Sequence, residues 1–419
     1  MNTKTKHQLE IDFGKTLIVD GPRIGVAVSG GSDSVALLYL VCTWAKNNNK
    51  TVVAVTVDHN LRKEVNSEIK FISRICSDLS ISHDVLSWKN WGGNGNLQAK
   101  ARQARYKLIN EWASKNNIDL VVLGHTKNDV VENFIIRMSR DSGVDGLSQI
   151  LPFFNSENVN YGRPLIDIER DDLRRYLNFK KVEWIEDPSN ENSKFQRVRV
   201  RKKLVHLKKM GMDLENIATV SKNLRVSRDA LEFYTDRLAK TCTIFKEGDI
   251  IFKLDLFFQE PLDIQRRLLI KAIKFLGEYE FGPRRSEINN LLCSFQKRES
   301  HTLRGFHFYY YENGMRMSRE YNAINELCGK PNEIWDNRWF IKGPKSSNYI
   351  IKPLGEKGLS ALSEWKDKDI PRLALLSSPA VWHKNELKIV LFLDRVNSWS
   401  LKPLKQEKEF SIYDKVLNH

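Results

Sequence analysis

In the first half of the chain, short β-branched apolar runs alternate with longer segments whose apolar residues recur at helical spacing. Residues 24–28, 51–57 and 120–124 read as buried strands, and 83–86 as a short edge strand. Between them 35–41, 64–79, 97–116 and 130–138 read as helices, with Val65, Ile69, Ile72 and Ile75 along one face of the second. Residues 91–96 form a flexible loop. The strands are apolar throughout rather than alternating, so both faces of their sheet are covered. The pattern predicts an α/β fold, a doubly wound parallel sheet, which binds ligands at the carboxyl ends of its strands.

The texture then changes. Residues 163–179 read as a helix entered through Pro164, and 187–190 as a turn. Helices are predicted over 214–240 and 261–276, and a hairpin around Asn313-Gly314. Further strands are predicted over 335–341, 349–352 and 388–393. The expected division is an α/β domain over 1–205, a small helical domain over 206–325 and a C-terminal β-rich domain over 326–419.

Composition narrows the class. A chain of 419 residues with 41% hydrophobic content can bury several cores. Its mean hydropathy is −0.45, it has no uncharged apolar run of membrane-spanning length and its N-terminal stretch lacks a signal-peptide core, so a cytoplasmic protein with no membrane partner is expected. The five cysteines are scattered without a CxxC pair, which argues against disulfides, zinc and paired-thiol chemistry. Net charge is +15, more than an enzyme for a small metabolite needs, and suits a phosphate-rich partner. Residues 194–209 carry eight Lys or Arg and no Asp or Glu.

Candidate chemistry begins after the first strand, with Ser29, Gly30, Gly31, Ser32, Asp33 and Ser34 leading into a helix. Two glycines let backbone N–H groups approach a phosphate, and the helix N-terminus adds its dipole. Asp33 fits an anion cradle only if a cation comes too, which makes it a Mg²⁺ ligand bridging to phosphate. No Gly-Lys-Ser/Thr follows and the spacing is not GxGxxG. The loop instead resembles that of the N-type ATP pyrophosphatases, which cleave ATP between its α- and β-phosphates.

Other constellations follow strand ends. His125, Asp129 and Glu132 share one helical face, where they can hold a cation or an ammonium group or take its proton; a solvated helix face looks much the same. Gln98, Arg102 and Arg105 share another face and suit a polyphosphate or an RNA backbone. Asp58 and His59 open the run DHNLR after the second strand. Taken together, SGGSDS, DHNLR, QAKARQARY, GHTKNDVVEN, the run from Arg137 to Leu147, RPL and DPSN resemble, in order and spacing, the tRNA(Ile)-lysidine synthetases of the PP-loop superfamily, over about residues 20–205. The chain departs from that pattern at Asp141-Ser142 and at Val198.

The resemblance implies a Rossmann-like catalytic domain and ATP-dependent ligation of free L-lysine to C2 of the wobble cytidine of the CAU-anticodon isoleucine tRNA. The cytosine O2 would attack the α-phosphate of ATP, and the lysine ε-amine would then expel AMP. It further implies ATP and Mg²⁺ as cofactors. Ser29, Gly30, Gly31, Ser32, Asp33, Ser34, Asp58 and His59 would bind the nucleotide, and Asp33 the metal. Asp33, Arg102, His125, Asp129 and Glu132 would be catalytic, the two carboxylates on the helix holding lysine. Arg105, Arg197, Arg199, Arg201, Lys202 and Lys203 would meet the tRNA, with the helical and C-terminal domains as further contact surface. A homodimer is left open. The competing readings are another PP-loop tRNA-modifying enzyme of thiolase type and a non-catalytic RNA-binding protein.

Overall fold

The computed structural model describes residues 5–410 apart from 61–64, 89–96, 149, 187–195, 278, 280–281, 345–347, 363–364, 368, 395–397 and 406. The 91–96 loop, the 187–190 turn, Leu61, Arg62 and Lys194 therefore lie outside the described residues. The chain forms two compact units, one up to Arg228 and one over Asp229–Asp414.

In the first unit, strands β1 (Arg23–Ala27), β2 (Thr51–Asp58), β3 (Ser82–Ser87), β4 (Leu120–Leu123), β5 (Phe153–Ser156) and β6 (Val159–Gly162) make one sheet in the order β3-β2-β1-β4-β6-β5. All neighbours are parallel except β5, which is antiparallel to β6. The apolar runs are continuous because alternate residues enter different cores. Ile24, Val26, Ala54 and Val122 meet α1 (Lys6–Thr16), α2 (Ser32–Asn47) and α7 (Arg170–Lys180) through Phe13, Leu37 and Leu177. Val53, Val55 and Val121 meet Ile109 and Trp112 of α4 (Leu97–Lys115) on the other face. The remaining helices of this unit are α3 (Val65–Asp78), α5 (Lys127–Met138), α6 (Val144–Leu147), α8 (Gln196–Lys209) and the start of α9 (Leu214–Cys242).

From β1 the chain builds one side of the sheet through β2 and β3, then crosses to β4 on the other side of β1. The carboxyl ends of β1 and β4 thus flank the switch point, where such sheets open a ligand crevice. The predicted strands and helices of this half all form, and β3 lies at the sheet edge.

Two features differ. The helix expected over 163–179 begins only at Arg170; Pro164–Asp167 are turns that bury Leu165 and Ile166. Pro164 therefore opens a turn instead of a first helical position. The β5–β6 hairpin was not predicted. Its two-residue turn, Glu157-Asn158, is left-handed at both positions, φ 47° and 68°, without the Asn-Gly signal that marks such turns.

In the second unit β7 (Thr243–Lys246), β8 (Asp249–Lys253), α10 (Leu254–Gln259), α11 (Leu262–Gly277), α12 (Arg285–Lys297), β9 (His301–Leu303), β10 (Phe306–Tyr311) and β11 (Gly314–Arg319) follow one another. Their five strands form an antiparallel sheet packed on the helices through Phe252, Leu268, Leu292 and Phe308. The hairpin at Gly314 is as expected; β7 and β8, within the region expected to be helical, are additions. The strand expected over 335–341 is two strands, β12 (Glu333–Trp335) and β13 (Trp339–Lys342), because Asp336 and Asn337 both take φ 51° and turn the chain back. The strands β14 (Tyr349–Pro353), β15 (Pro379–His383), β16 (Glu386–Val390) and β17 (Ser400–Pro403) complete two three-stranded sheets, β12-β13-β17 and β14-β15-β16. No helix among the described residues is long and apolar enough to cross a membrane.

Candidate active site

A cleft of about 1060 Å³ opens at the carboxyl ends of β1 and β4. Its floor is the loop after β1. Gly30 takes φ +85°, a conformation that side chains resist, and a Cβ on Gly31 would meet nothing within 4 Å. The loop thus turns sharply and leaves open space above Gly31. Ser34 Oγ accepts from Ser29 N at 3.1 Å and donates to the Gly31 carbonyl at 3.0 Å, which pins the turn from within. The first N–H groups of α2 have no intrahelical acceptor and face the same end. Gly124 follows β4; a Cβ there would lie 3.1 Å from Ser34 Cα, so strand end and loop touch backbone to backbone.

The second wall is α5, entered through buried Thr126. Asp129, in its first turn, accepts from both Thr126 N and Thr126 Oγ1 at 2.9 Å, which fixes its rotamer. Glu132 is one turn further and 0% exposed.

Opposite stands Arg170, the first residue of α7, which the sequence did not single out. Its Nε lies 2.8 Å from Asp33 Oδ2, its Nη2 3.7 Å from Asp129 Oδ2 and its Nη1 3.5 Å from Glu132 Oε1. One planar fork thus gathers the loop acid and both helix acids, a task suited to arginine. Arg201 of α8 adds two bonds to Glu132, at 2.6 and 3.3 Å, and Arg197 lies 3.8 Å from Asp129. The charges set the proton affinities. Burial raises that of Asp33 despite the ion pair with Arg170. Burial also works against ionised Asp129, but Arg170, the Thr126 amide and Arg197 hold its carboxyl below the usual range. Arg170 is raised in turn: burial opposes its charge, and Asp33 and Asp129 overcome that.

His125 lines the same cleft, and its Nδ1 is 3.2 Å from Nε of Arg163. Arg105 lines the cleft and also a second cavity of about 400 Å³ beside it, where Ser29, Gly31, Thr56 and His59 meet apolar Ile69 and Ile72. His59 Nδ1 is buried there without a hydrogen-bond partner among the described residues. Asp58 instead accepts from the Asn60 amide at 2.7 Å. Arg102 does not join the others: it is exposed, its guanidinium 5.1 Å from the Tyr106 ring centroid.

The basic run divides by helix face. Arg197, Arg201, Leu204 and Lys208 line the cleft, whereas Arg199, Lys202 and Lys203 are exposed on α8 away from it. Arg170 was the cleft residue hardest to find by motif spacing, and Arg163, present in RPL, meets His125 only across the folded sheet.

A strand–loop–helix cradle carrying an acid, at the switch point of a doubly wound sheet, is the architecture of PP-loop domains, and the family model described as the PP-loop domain matches residues 1–208. The tRNA(Ile)-lysidine synthase of Ruegeria pomeroyi is 35% identical over 397 residues, 95% of this chain and 94% of that one. That of Wolbachia pipientis wMel is 33% identical over 347 residues, 79% of this chain and 80% of that one. The chain belongs to the tRNA(Ile)-lysidine synthase family, and its first unit carries the ATP-using PP-loop domain. Among solved structures, the U34-tRNA thiolase NcsA from Methanococcus maripaludis covers 52% of this chain and 78% of its own, at 18% identity and a TM-score of 0.47, too distant to carry a conclusion.

Proposed function

We propose that the chain joins free L-lysine to C2 of the wobble cytidine of a CAU-anticodon isoleucine tRNA, forming lysidine with release of pyrophosphate and AMP. The observation that carries this reading is the meeting of Asp33, Asp129 and Glu132 on Arg170 in one cleft beside the phosphate cradle. ATP would lie with its phosphates on the Ser29–Ser34 loop and its base in the adjoining cavity, where the unpartnered His59 Nδ1 awaits a donor. In the first step cytosine O2 attacks the α-phosphorus and pyrophosphate departs. Loop N–H groups and Arg105, which lines the cleft, would meet the charge that develops. In the second step the ε-amine of lysine adds at C2, and the C2–O bond breaks to release AMP.

An ammonium of ordinary pKa ~10.4 is no nucleophile, so the amine must lose its proton on arrival. Asp129, held below the carboxylate range, stays an anion and suits the holding of a cation more than the taking of a proton. With Glu132 it would hold lysine's amino groups.

The residues also fit Mg²⁺. Asp33 offers one carboxylate at the loop, with Oδ1 accepting from Ser32 Oγ at 3.2 Å, and Mg²⁺ commonly takes one or two carboxylates and completes its shell with phosphate and water. When bound it would neutralise charge on the departing pyrophosphate.

The exposed residues Arg199, Lys202 and Lys203 would track the tRNA backbone, with the regions 206–325 and 326–419 as further tRNA contacts. The protein would work in the cytoplasm, with a homodimer to be tested by mass. A thiolase is less well supported. Burial pushes the thiols of Cys42 and Cys76 up to about 12 and about 11, and such thiols are poor nucleophiles.

The test is incorporation of labelled lysine into a CAU-anticodon isoleucine tRNA transcript, with ATP and Mg²⁺, by the native chain and Asp33→Ala. Label that requires ATP and Asp33 supports the ligase. AMP without label points to another nucleophile. Neither, with RNA still bound, points to a binding protein.

A further inference from the structure

Arg163 is a buried cation that the reaction above leaves without a task. It follows β6, whose register sets Gly162 beside Val122 of β4. One residue on, Arg163 runs alongside the segment that leaves β4 toward His125. Its Nη1 donates to the Leu151 carbonyl at 2.5 Å and its guanidinium lies 4.1 Å from the Phe154 ring centroid. The side chain is 7% exposed. Arg163 is therefore held by contacts independent of His125, and the 3.2 Å approach of its Nε to His125 Nδ1 is a fixed one.

A guanidinium has donors and no acceptor. Nδ1 of His125 must meet it with a lone pair, and in the neutral ring the proton then resides on Nε2. A proton on Nδ1 would set N–H against N–H beside a positive charge. The charged groups whose fields reach His125 are Arg163, Asp129, Arg105 and, from the exposed side of α4, Arg102. Burial and then Arg163 disfavour the charged ring, with Arg105 and Arg102 adding to them; Asp129 alone pulls the other way.

We propose that Arg163 is a positioning residue for the adenylation step: it holds His125 as a neutral ring whose Nε2–H is a fixed hydrogen-bond donor in the cleft, and it bars Nδ1 from acting as a base. The tautomer stands on geometry alone; its part in adenylation rests on the function proposed above. A fixed neutral donor suits an oxygen gaining negative charge on the α-phosphate, because it neither needs reorganising nor loses its proton as pH changes.

The test is nitrogen NMR of the His125 ring in the full chain, its signal assigned by its loss in His125→Asn, from about pH 5 to about pH 8. The native ring is expected to stay neutral throughout with the proton on Nε2. In Arg163→Met the ring should begin to titrate or populate both tautomers, and Arg163→Lys should restore part of the native signal. A native ring that is charged at about pH 6, or that carries its proton on Nδ1, overturns the proposal. Kinetics supply the second arm. Arg163→Met should lower kcat for pyrophosphate release by about a hundredfold, as loss of one preorganised donor does, with KM for ATP little changed. The double variant with His125→Ala should be no slower than His125→Ala alone; effects that multiply would show Arg163 acting elsewhere and overturn the proposal. A native Nε2–H ring in a chain that transfers no lysine keeps the tautomer and sinks the ligase reading instead.

Discussion

At the scale of the residue, the site turns on Arg170. Removing one partner of a buried ion cluster leaves the others uncompensated, at a cost of about 3–5 kcal/mol. Arg170→Met takes the shared cation from Asp33, Asp129 and Glu132, leaving Glu132 its bonds to Arg201 and Asp129 its bonds to Thr126, so urea unfolding should show a loss of that order, and Arg170→Lys should not recover it, because an ammonium cannot reach three carboxylates as a fork does. The carboxylates also predict a pH dependence. Asp129 is lowered in the folded chain, so its contribution is present above the usual carboxylate range and is lost as pH falls through that range to the folded value. Asp33 is raised, and works in the opposite sense: its ionisation costs stability as pH rises past the ordinary value. Asp129→Asn should therefore lower the urea midpoint clearly at neutral pH, with the gap to the native chain closing as pH falls below the ordinary carboxylate range. A gap that stays constant would mean that Asp129 gains nothing from its partners. The acids were legible as residues in the sequence, from their place after strand ends. Their common partner was not, since Arg170 lies 137 residues from Asp33 and belongs to no motif that names it.

At the scale of the element, two short joints hold the cleft in shape. Gly124 lets the end of β4 touch the loop, and a methyl group there would press on the backbone of Ser34 at 3.1 Å. Gly124→Ala should move the loop by a fraction of an ångström and lower kcat by about a hundredfold, as small misplacements of a reacting group do, with little change in tRNA affinity. Thr126 caps α5 and is 0% exposed. Thr126→Ala removes its bond to Asp129 and should cost about 1 kcal/mol by thermal unfolding while raising KM for lysine. Period and β-branched runs made the central strands and the helices of the sheet readable, since both faces of β1, β2 and β4 are buried. The β5–β6 hairpin was missed because its left-handed turn is built from Glu157 and Asn158 rather than glycine. That omission hid the contact of Arg163 with His125, which depends on β6.

At the scale of the whole molecule, the net charge of +15 is spent in two ways. Arg163, Arg170 and Arg201 are absorbed by the site, where they balance buried acids or fix a ring. Arg199, Lys202 and Lys203 are exposed on α8, where the proposed function would set the tRNA backbone. Changing both Lys202 and Lys203 to Gln should weaken tRNA binding and reduce the slope of log K against log salt by about 1–2, since each lost phosphate contact removes nearly one counterion. Pyrophosphate release at saturating tRNA should stay near native. A slope that does not change would place the tRNA track elsewhere on the chain.

The sequence by itself determined the buried strands β1, β2 and β4, the glycine-rich loop that leads into α2 and the carboxylates that follow the strand ends. Each of these is local: a period, a glycine pair before a helix, or carboxylates one turn apart. Tertiary structure alone decided which cations those acids meet, which face of the basic helix looks inward and which nitrogen of His125 keeps its proton. Those depend on the order and register of strands in space, because charges act over a few ångströms whatever their separation along the chain.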